Sequence, residues 1–185
     1  MIPLPNKAFT ARANGRSLRL ITEIEIFPAF DPAATPTPPQ SRKYQALYDT
    51  GATNSAISPQ VVTDLQLPSI KATNVAVGGG TLLTTSHLVN IMLPNRVGFP
   101  NVLVTKMALL GGFDALIGMD IIGAGDFAVT HQGGKTTFSF CFPSRKEIDF
   151  VADLSAFNKA HPPSKNGLCP CGSGKKYKSC HGRHS

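Results

Sequence analysis

Two groups of residues in this chain have types and spacings that could do chemistry. The first is Asp49-Thr50-Gly51-Ala52, which directly follows the apolar stretch 44–48. A carboxylate, a hydroxyl and a glycine at the end of a buried strand can form a tight turn that aims the acid into a cleft. An ordinary strand-to-helix turn uses the same residue types for local hydrogen bonding. The four residues therefore indicate either a catalytic acid or a structural turn.

The second group lies near the C-terminus and has metal-ligand spacing. Cys169 and Cys171 form a C-x-C pair, and Cys180 and His181 follow after eight further residues. Three thiolates and one imidazole complete a tetrahedral set for Zn²⁺, and a closed set indicates a structural metal. The segment is too short to bury a core, so metal coordination would supply its folding energy. The alternative is a disordered tail with free thiols, while Cys141 stands alone and is expected in the core.

The first group resembles the retropepsin-like family of aspartic peptidases. The resemblance rests on three stretches, LYDTGATNSAIS (47–58), AVGGGTLL (76–83) and DALIGMDII (114–122), and covers roughly residues 16 to 142. It implies that Asp49 is catalytic, that Thr50 braces the loop against its symmetry mate and that Gly51 makes the turn. It also implies a flap over the substrate at three glycines, Gly78, Gly79 and Gly80.

The same resemblance assigns the second apolar stretch to packing beneath the catalytic loop. Leu116, Ile117 and Gly118 would fill that place, with Asp114 and Asp120 beside them as a loop carboxylate and a helix-start carboxylate. Neither acid is expected to act as the catalytic partner of Asp49.

Peptide hydrolysis by such enzymes uses two facing carboxylates that share one proton. Asp-Thr-Gly occurs once in this chain, so the resemblance implies a homodimer in which each copy contributes Asp49. The implied function is an aspartic endopeptidase that acts on peptides or proteins and needs no cofactor for catalysis. The alternative is a non-catalytic module that grips peptides or partners with the same barrel and tail.

The tail CPCGSGKKYKSCHG, 169–182, resembles the SEC-C motif, which also occurs at the C-terminus of the SecA translocation ATPase. The resemblance implies structural Zn²⁺ at Cys169, Cys171, Cys180 and His181, and a docking role toward a protein or a ribosomal surface. Four nearby cations, Lys175, Lys176, Lys178 and Arg183, would attract an acidic partner.

The elements that must position these groups are mainly strands. Alternating apolar residues at 18–26 predict a half-buried strand, and the five prolines that follow make 28–43 a loop between it and the strand 44–50. Ser58 and Pro59 predict a short helix, and β-rich stretches separated by glycines continue to residue 142. The predicted fold class is all-β, a retropepsin-like closed barrel with one or two short helices, followed by a helix and a small zinc knuckle.

This pattern divides the chain into four segments. They are an N-terminal arm at 1–15, the peptidase domain at 16–142, a helix and linker at 143–166, and the zinc motif at 167–185.

Composition limits the remaining classes of function. The chain has 185 residues and a formal charge of +7, but residues 143–185 carry eight Lys or Arg against three acids, so the basic excess lies mainly in the tail. Nucleic-acid binding is therefore not favoured. No stretch of eighteen apolar residues and no signal-peptide pattern occurs, which predicts a soluble, cytoplasmic protein without membrane contact.

Overall fold

The computed structural model describes residues 7–77, 79–161 and 163–184. They form two compact units that divide between Lys146 and Glu147. The first unit consists mostly of strands, and those described are β1 (Lys7–Arg12), β2 (Ile21–Pro28), β3 (Arg42–Tyr48), β4 (Ala56–Ile57), β5 (Lys71–Val77), β6 (Gly80–Leu93), β7 (Val97–Lys106), β8 (Ala115–Ile117), β9 (Asp126–Thr130) and β10 (Thr137–Phe142).

Six of these strands close into a barrel. Their order is β2-β3-β8-β4-β7-β6, and a further pairing of β2 with β6 joins the two ends. β2 and β3 are antiparallel, with Ile21 opposite Leu47, whereas β3 and β8 are parallel, with Ala46 opposite Ala115. Aliphatic side chains such as Ile26, Ile57 and Ile117 fill the core and are fully buried. The prediction of an all-β fold with a closed barrel is confirmed.

The N-terminal segment differs from the predicted arm. Its residues 7–12 form β1, which pairs with β10 in a separate sheet of order β1-β10-β9. Phe9 is 4% exposed and packs its ring against Phe138 and Phe140. Residues 7–12 are therefore part of the packed first unit, because pairing with a distant strand and burial of one aromatic ring hold them there.

Two short helices connect strands in the first unit. α1 (Pro59–Asp64) begins after Ser58, whose hydroxyl accepts a hydrogen bond from the Val61 N–H at 3.4 Å, and Pro59 occupies its first position. α2 (Met119–Ile122) follows β8 directly. Both lie where the sequence predicted short helices.

The second unit contains α3 (Phe150–Ala160) and the cysteine-rich knuckle. The Asp149 carboxylate caps α3 by accepting hydrogen bonds from the Val151 and Ala152 N–H groups at 2.9 and 3.0 Å. Phe150 and Val151 of this helix are more than 70% exposed. Across the described chain, none of the helices has the length and apolar character needed to cross a bilayer.

Candidate active site and metal centre

Asp49 stands at the end of β3, where the chain leaves the barrel. Its backbone N–H donates to the Ile117 carbonyl at 2.9 Å, which continues the parallel pairing of β3 with β8 by one residue. The Gly51 N–H donates to Asp49 Oδ1 at 2.8 Å. The backbone therefore fixes both the position of Asp49 and the direction of its carboxylate.

A glycine is needed at position 51, but not for the turn conformation that the sequence predicted. Its backbone does not adopt the left-handed region that favours glycine. A Cβ at this position would instead lie 3.2 Å from Asp49 Oδ1, closer than side chains usually approach. Gly51 thus leaves room for the carboxylate that its own N–H orients.

The loop formed by residues 49–54, here named the Asp49 loop, rests on the turn at the start of α2. The Met119 and Asp120 N–H groups donate to the Ala52 and Thr53 carbonyls at 2.8 and 3.1 Å. A Cβ on Gly118 would lie 2.7 Å from the backbone of Asn54. Only glycine permits this close approach, so Gly118 allows the backbone of the Asp49 loop to lie directly against the turn that follows β8.

Ser55, Gly118 and Asp120 form a second set of hydrogen bonds beneath the Asp49 loop. These three residues are here named the Ser55 clamp. The Asp120 carboxylate accepts the Ser55 N–H at 2.9 Å and the Ser55 hydroxyl at 2.7 Å. The Ser55 oxygen in turn accepts the Gly118 N–H at 3.0 Å. Ser55 is 1% exposed, so its N–H and its hydroxyl find their hydrogen-bond partners within the protein. The sequence indicated Asp120 as a helix-start carboxylate, and this contact with Ser55 was missed because 65 residues separate the two.

Asp49 and Thr50 each have a polar group without a hydrogen-bond partner among the described residues. Among residues 7–77, 79–161 and 163–184, no donor lies within hydrogen-bond distance of Asp49 Oδ2, and the Thr50 hydroxyl has no partner. Thr50 is exposed, and Asp49 is half-buried. The loop therefore presents an oxygen and a hydroxyl outward while its backbone is held from below.

Tyr48, the residue before Asp49, points into the core. It is 6% exposed, and its hydroxyl lies 3.1 Å from the Thr22 hydroxyl. Burial raises the pKa of Tyr48 well above the ordinary tyrosine value. The tyrosine therefore stays neutral and anchors the end of β3 rather than taking part in proton transfer.

The glycine turn proposed as a flap joins β5 to β6. The strands pair from Lys71 opposite Ser86 to Val77 opposite Gly80, and Gly80 has a φ of 142°. A Cβ at Gly79 or Gly80 would meet no atom within 4 Å, so the space beside these two glycines is open. Gly78 lies outside the described residues.

The four predicted zinc ligands come together in the second unit. Their ligand atoms all lie within 4.8 Å of one another. Cys171 Sγ is 3.7 Å from Cys180 Sγ, and His181 Nδ1 is 3.3 Å from Cys169 Sγ and 3.5 Å from Cys180 Sγ. Tetrahedral zinc with ordinary bond lengths would separate two sulfurs by about 3.8 Å and a sulfur from a nitrogen by about 3.5 Å. The residues therefore fit this metal.

The thiols of this cluster influence each other's ionisation. Backbone hydrogen bonding at Cys171 lowers the pKa of the Cys169 thiol to about 7. The Ser173 hydroxyl lowers the pKa of Cys171. The Ser173 hydroxyl also acts to lower the pKa of Cys180, but the Cys171 thiol, burial and the Cys169 thiol together outweigh it, so the pKa of Cys180 rises. Cys169 and Cys171 are thus the thiols that most readily adopt the thiolate form that metals bind.

Two family models match this chain. Residues 40–121 match the model described as aspartyl protease, and residues 166–183 match the SEC-C motif. The first match contains the Asp49 loop, Gly118 and Asp120, and the second contains all four ligands of the knuckle. The two resemblances stated from the sequence are therefore confirmed for these ranges.

Individual proteins that are similar to the chain include a translocase subunit and two proteases of known structure. The protein translocase subunit SecA of Chlorobium luteolum is 74% identical over 40 residues, which are 22% of this chain and 3% of that protein. The structure of EIAV protease complexed with the inhibitor HBY-793 has a TM-score of 0.42 and 21% identity, over 57% of this chain and 86% of that one. A retropepsin-like aspartic protease from Rickettsia conorii has a TM-score of 0.42 and 13% identity, over 76% and 98%.

Proposed function

We propose that this protein is an aspartic endopeptidase whose active site forms across a homodimer. One observation carries the proposal. In a segment that matches the aspartyl protease model, the backbone fixes the Asp49 carboxylate at a strand end, with one oxygen bonded and the other without a donor in the described chain. A surface turn needs no such support from below, whereas a catalytic acid needs a fixed position.

The chemistry of this proposal requires two carboxylates. One Asp49 is ionised and takes a proton from water, whose oxygen then bonds to the peptide carbonyl carbon. The Asp49 of the second subunit is protonated and gives its proton to the carbonyl oxygen. The first Asp49 then gives the proton that it took from water to the amide nitrogen. As the C–N bond breaks, a hydroxyl of the tetrahedral intermediate returns its proton to the second Asp49, and the pair again shares one proton.

The requirement for a second chain follows from the single Asp-Thr-Gly sequence. The exposed hydroxyl of Thr50 supports the same proposal. It is positioned on the surface, where it could form a hydrogen bond with the Thr50 hydroxyl of the second subunit across a twofold axis. The open tip of the β5–β6 hairpin could close over an extended peptide through backbone hydrogen bonds. Gly79 and Gly80 are therefore proposed as part of a flap, together with Gly78.

We further propose that the second unit is a zinc-stabilised docking element of a cytoplasmic protein. Cys169, Cys171, Cys180 and His181 would hold Zn²⁺, which supplies folding energy to the knuckle and takes no part in peptide cleavage. The docking role is supported by the SEC-C match and by the basic residues that surround the ligands.

A second candidate function is a non-catalytic module that binds partners. The exposed apolar side chains of the second unit favour it, among them Phe150, Val151 and Leu168, each more than 70% exposed. Such side chains commonly mark sites of protein association.

Cleavage of a mixed peptide library, read by mass spectrometry across pH, tests the proposed peptidase. Asp49→Asn should lower cleavage by about a thousandfold or more, because the proton acceptor is lost, while size and fold stay unchanged. Asp153→Asn is the matched control, since this exposed carboxylate lies in α3, and it should cleave normally. The wild-type rate should be bell-shaped in pH and favour the acidic side.

The same samples separate the two candidates. Light scattering should show a dimer for both wild type and Asp49→Asn. Retained cleavage by Asp49→Asn, or cleavage by a strict monomer, would contradict the mechanism. A dimer that binds peptides and cleaves none at any pH would identify the binding module instead.

A further inference from the structure

A groove of about 590 Å³ opens beside the start of β2, and three arginines line it. Arg12 ends β1, Arg16 lies in the following turn, and Arg19 precedes β2. The groove lining contains no aspartate or glutamate. This feature is here named the arginine groove.

The turn that carries these arginines is fixed by one buried residue. Thr136, which is 2% exposed, accepts the Ala13 N–H at its carbonyl at 2.9 Å and donates its own N–H to the Gly15 carbonyl at 3.0 Å. Its hydroxyl accepts the Ser17 N–H at 2.8 Å. The arginines therefore extend from an ordered backbone rather than from a free arm.

The arginine groove lies next to the Asp49 loop. The Tyr48 N–H donates to the Leu20 carbonyl at 2.9 Å, which extends the pairing of β2 with β3 by one residue beyond Ile21 and Leu47. Leu20, which lines the groove, thus lies opposite Tyr48, the residue before Asp49. The Arg19 guanidinium donates to the Gly111 carbonyl at 3.1 Å, which directs it along this edge of the barrel.

The charge of the arginine groove is not compensated within the described chain. The ion pairs found there join Arg42 to Asp64 and Lys43 to Glu23, and none includes a groove arginine. Leu20, Ile21 and Phe138 line part of the groove. A ligand that fits therefore carries anionic groups on a partly apolar body.

We propose that the arginine groove binds acidic side chains of the peptide substrate, so that the enzyme prefers cleavage sites with Asp or Glu near one side of the scissile bond. The inference rests on the proposed peptidase function and names its substrate class. Guanidinium groups bind carboxylates through paired hydrogen bonds. A peptide strand that reaches Asp49 passes this edge, whereas a nucleic acid would need a longer basic surface than three arginines supply.

Cleavage selectivity is the first test. In the peptide library, the wild type should cleave peptides with Asp or Glu near the bond about tenfold faster than their Asn or Gln counterparts. The double variant Arg12→Gln/Arg16→Gln should lose most of this ratio. Arg145→Gln/Lys146→Gln removes the same charge beyond β10 and should keep the ratio. Raising the salt concentration should reduce the ratio in the wild type, because exposed charges are screened.

Binding is the second test and does not depend on cleavage. In full-length Asp49→Asn, a short Glu-rich peptide should shift amide resonances of residues 12–20 and Thr136, and its Gln-rich counterpart should not. Adding Arg12→Gln/Arg16→Gln should weaken binding about tenfold. Arg19→Gln is tested separately, because its bond to Gly111 also supports the fold.

The outcomes distinguish this inference from the function on which it rests. Absence of all cleavage, with acidic-peptide binding retained at the arginine groove, contradicts the peptidase and keeps the groove as a peptide site. Equal cleavage of acidic and neutral peptides, or an acidic preference that survives the double variant, overturns the inference. A short single-stranded oligonucleotide that shifts the same resonances at lower concentration than the peptide also overturns it.

Discussion

At the scale of single residues, the position of Asp49 depends on atoms that the Asp-Thr-Gly sequence does not contain. Ser55 connects the end of the Asp49 loop to Asp120 and to the Gly118 N–H through one buried hydroxyl. Removing that oxygen leaves a buried N–H without an acceptor, and such a group costs more than an ordinary hydrogen bond contributes. Ser55 therefore acts as a positioning residue for Asp49.

Ser55→Ala should lower the free energy of unfolding by about 2 kcal/mol, because the buried Gly118 N–H loses its acceptor. Peptide cleavage should fall about a hundredfold, since a small shift of Asp49 spoils the geometry of a pair. Urea unfolding and cleavage rates measure the two effects. Ser69→Ala, at an exposed serine, should change neither. Full activity in Ser55→Ala would show that the Ser55 clamp does not position the acid.

At the scale of elements, Asp126 fixes the chain where it leaves β10. It begins β9, and its carboxylate accepts hydrogen bonds from the Ser144 hydroxyl and from the Arg145 and Lys146 N–H groups. The Ser144 bond, followed by the backbone bonds, lowers the pKa of Asp126 below its ordinary value of 3.8. The last residues of the first unit are thereby tied to its sheet.

This lowered pKa predicts how stability depends on pH. A carboxyl whose folded pKa is depressed stabilises the protein above the ordinary value and loses that contribution as the pH falls through the folded pKa. Wild type should therefore be more stable than Asp126→Asn at neutral pH, and the difference should shrink below pH 3.8. Urea unfolding measured from neutral to strongly acidic pH tests this. A difference that stays constant over the whole range would contradict the role of the charge.

Some strands and helices could be predicted from the sequence, and others could not. The strands at Ile21–Pro28 and Arg42–Tyr48, and the helix after Ser58, follow from alternation, prolines and a cap, all local signals. β1 has only Phe9 as a large apolar side chain, and its strand conformation depends on pairing with β10, about 130 residues away. Distant pairing leaves little local pattern, so a sequence alone does not indicate it.

The residues of the candidate sites also divide into those in local motifs and those brought together from distant parts of the chain. The Asp49 loop and the four ligands of the knuckle are short local motifs, and the sequence alone predicts their residues. The Ser55 clamp and the arginine groove bring together residues from distant parts of the chain, as when Arg19 meets Gly111. Only the folded barrel makes these contacts visible.

At the scale of the whole molecule, two units with different sources of stability share one chain. The first unit buries a continuous aliphatic and aromatic core. In the knuckle, Cys169 is the buried member of the ligand set, while Cys171 and His181 are exposed, and the large apolar side chains of α3 lie on the surface. A unit with so little buried apolar area needs another source of folding energy, and the proposed metal would supply it.

Zinc removal should therefore affect one unit and spare the other. Full-length protein should contain about one zinc ion per chain, and Cys180→Ser should lose most of it because an incomplete ligand set binds weakly. Amide protection in residues 167–184 should then disappear, while the melting temperature of the barrel stays within about 2 °C. Cys141→Ser, at the cysteine outside the cluster, should keep its zinc. Full zinc content in Cys180→Ser would contradict the assigned ligands, and a large fall in barrel stability would show that the units do not fold independently.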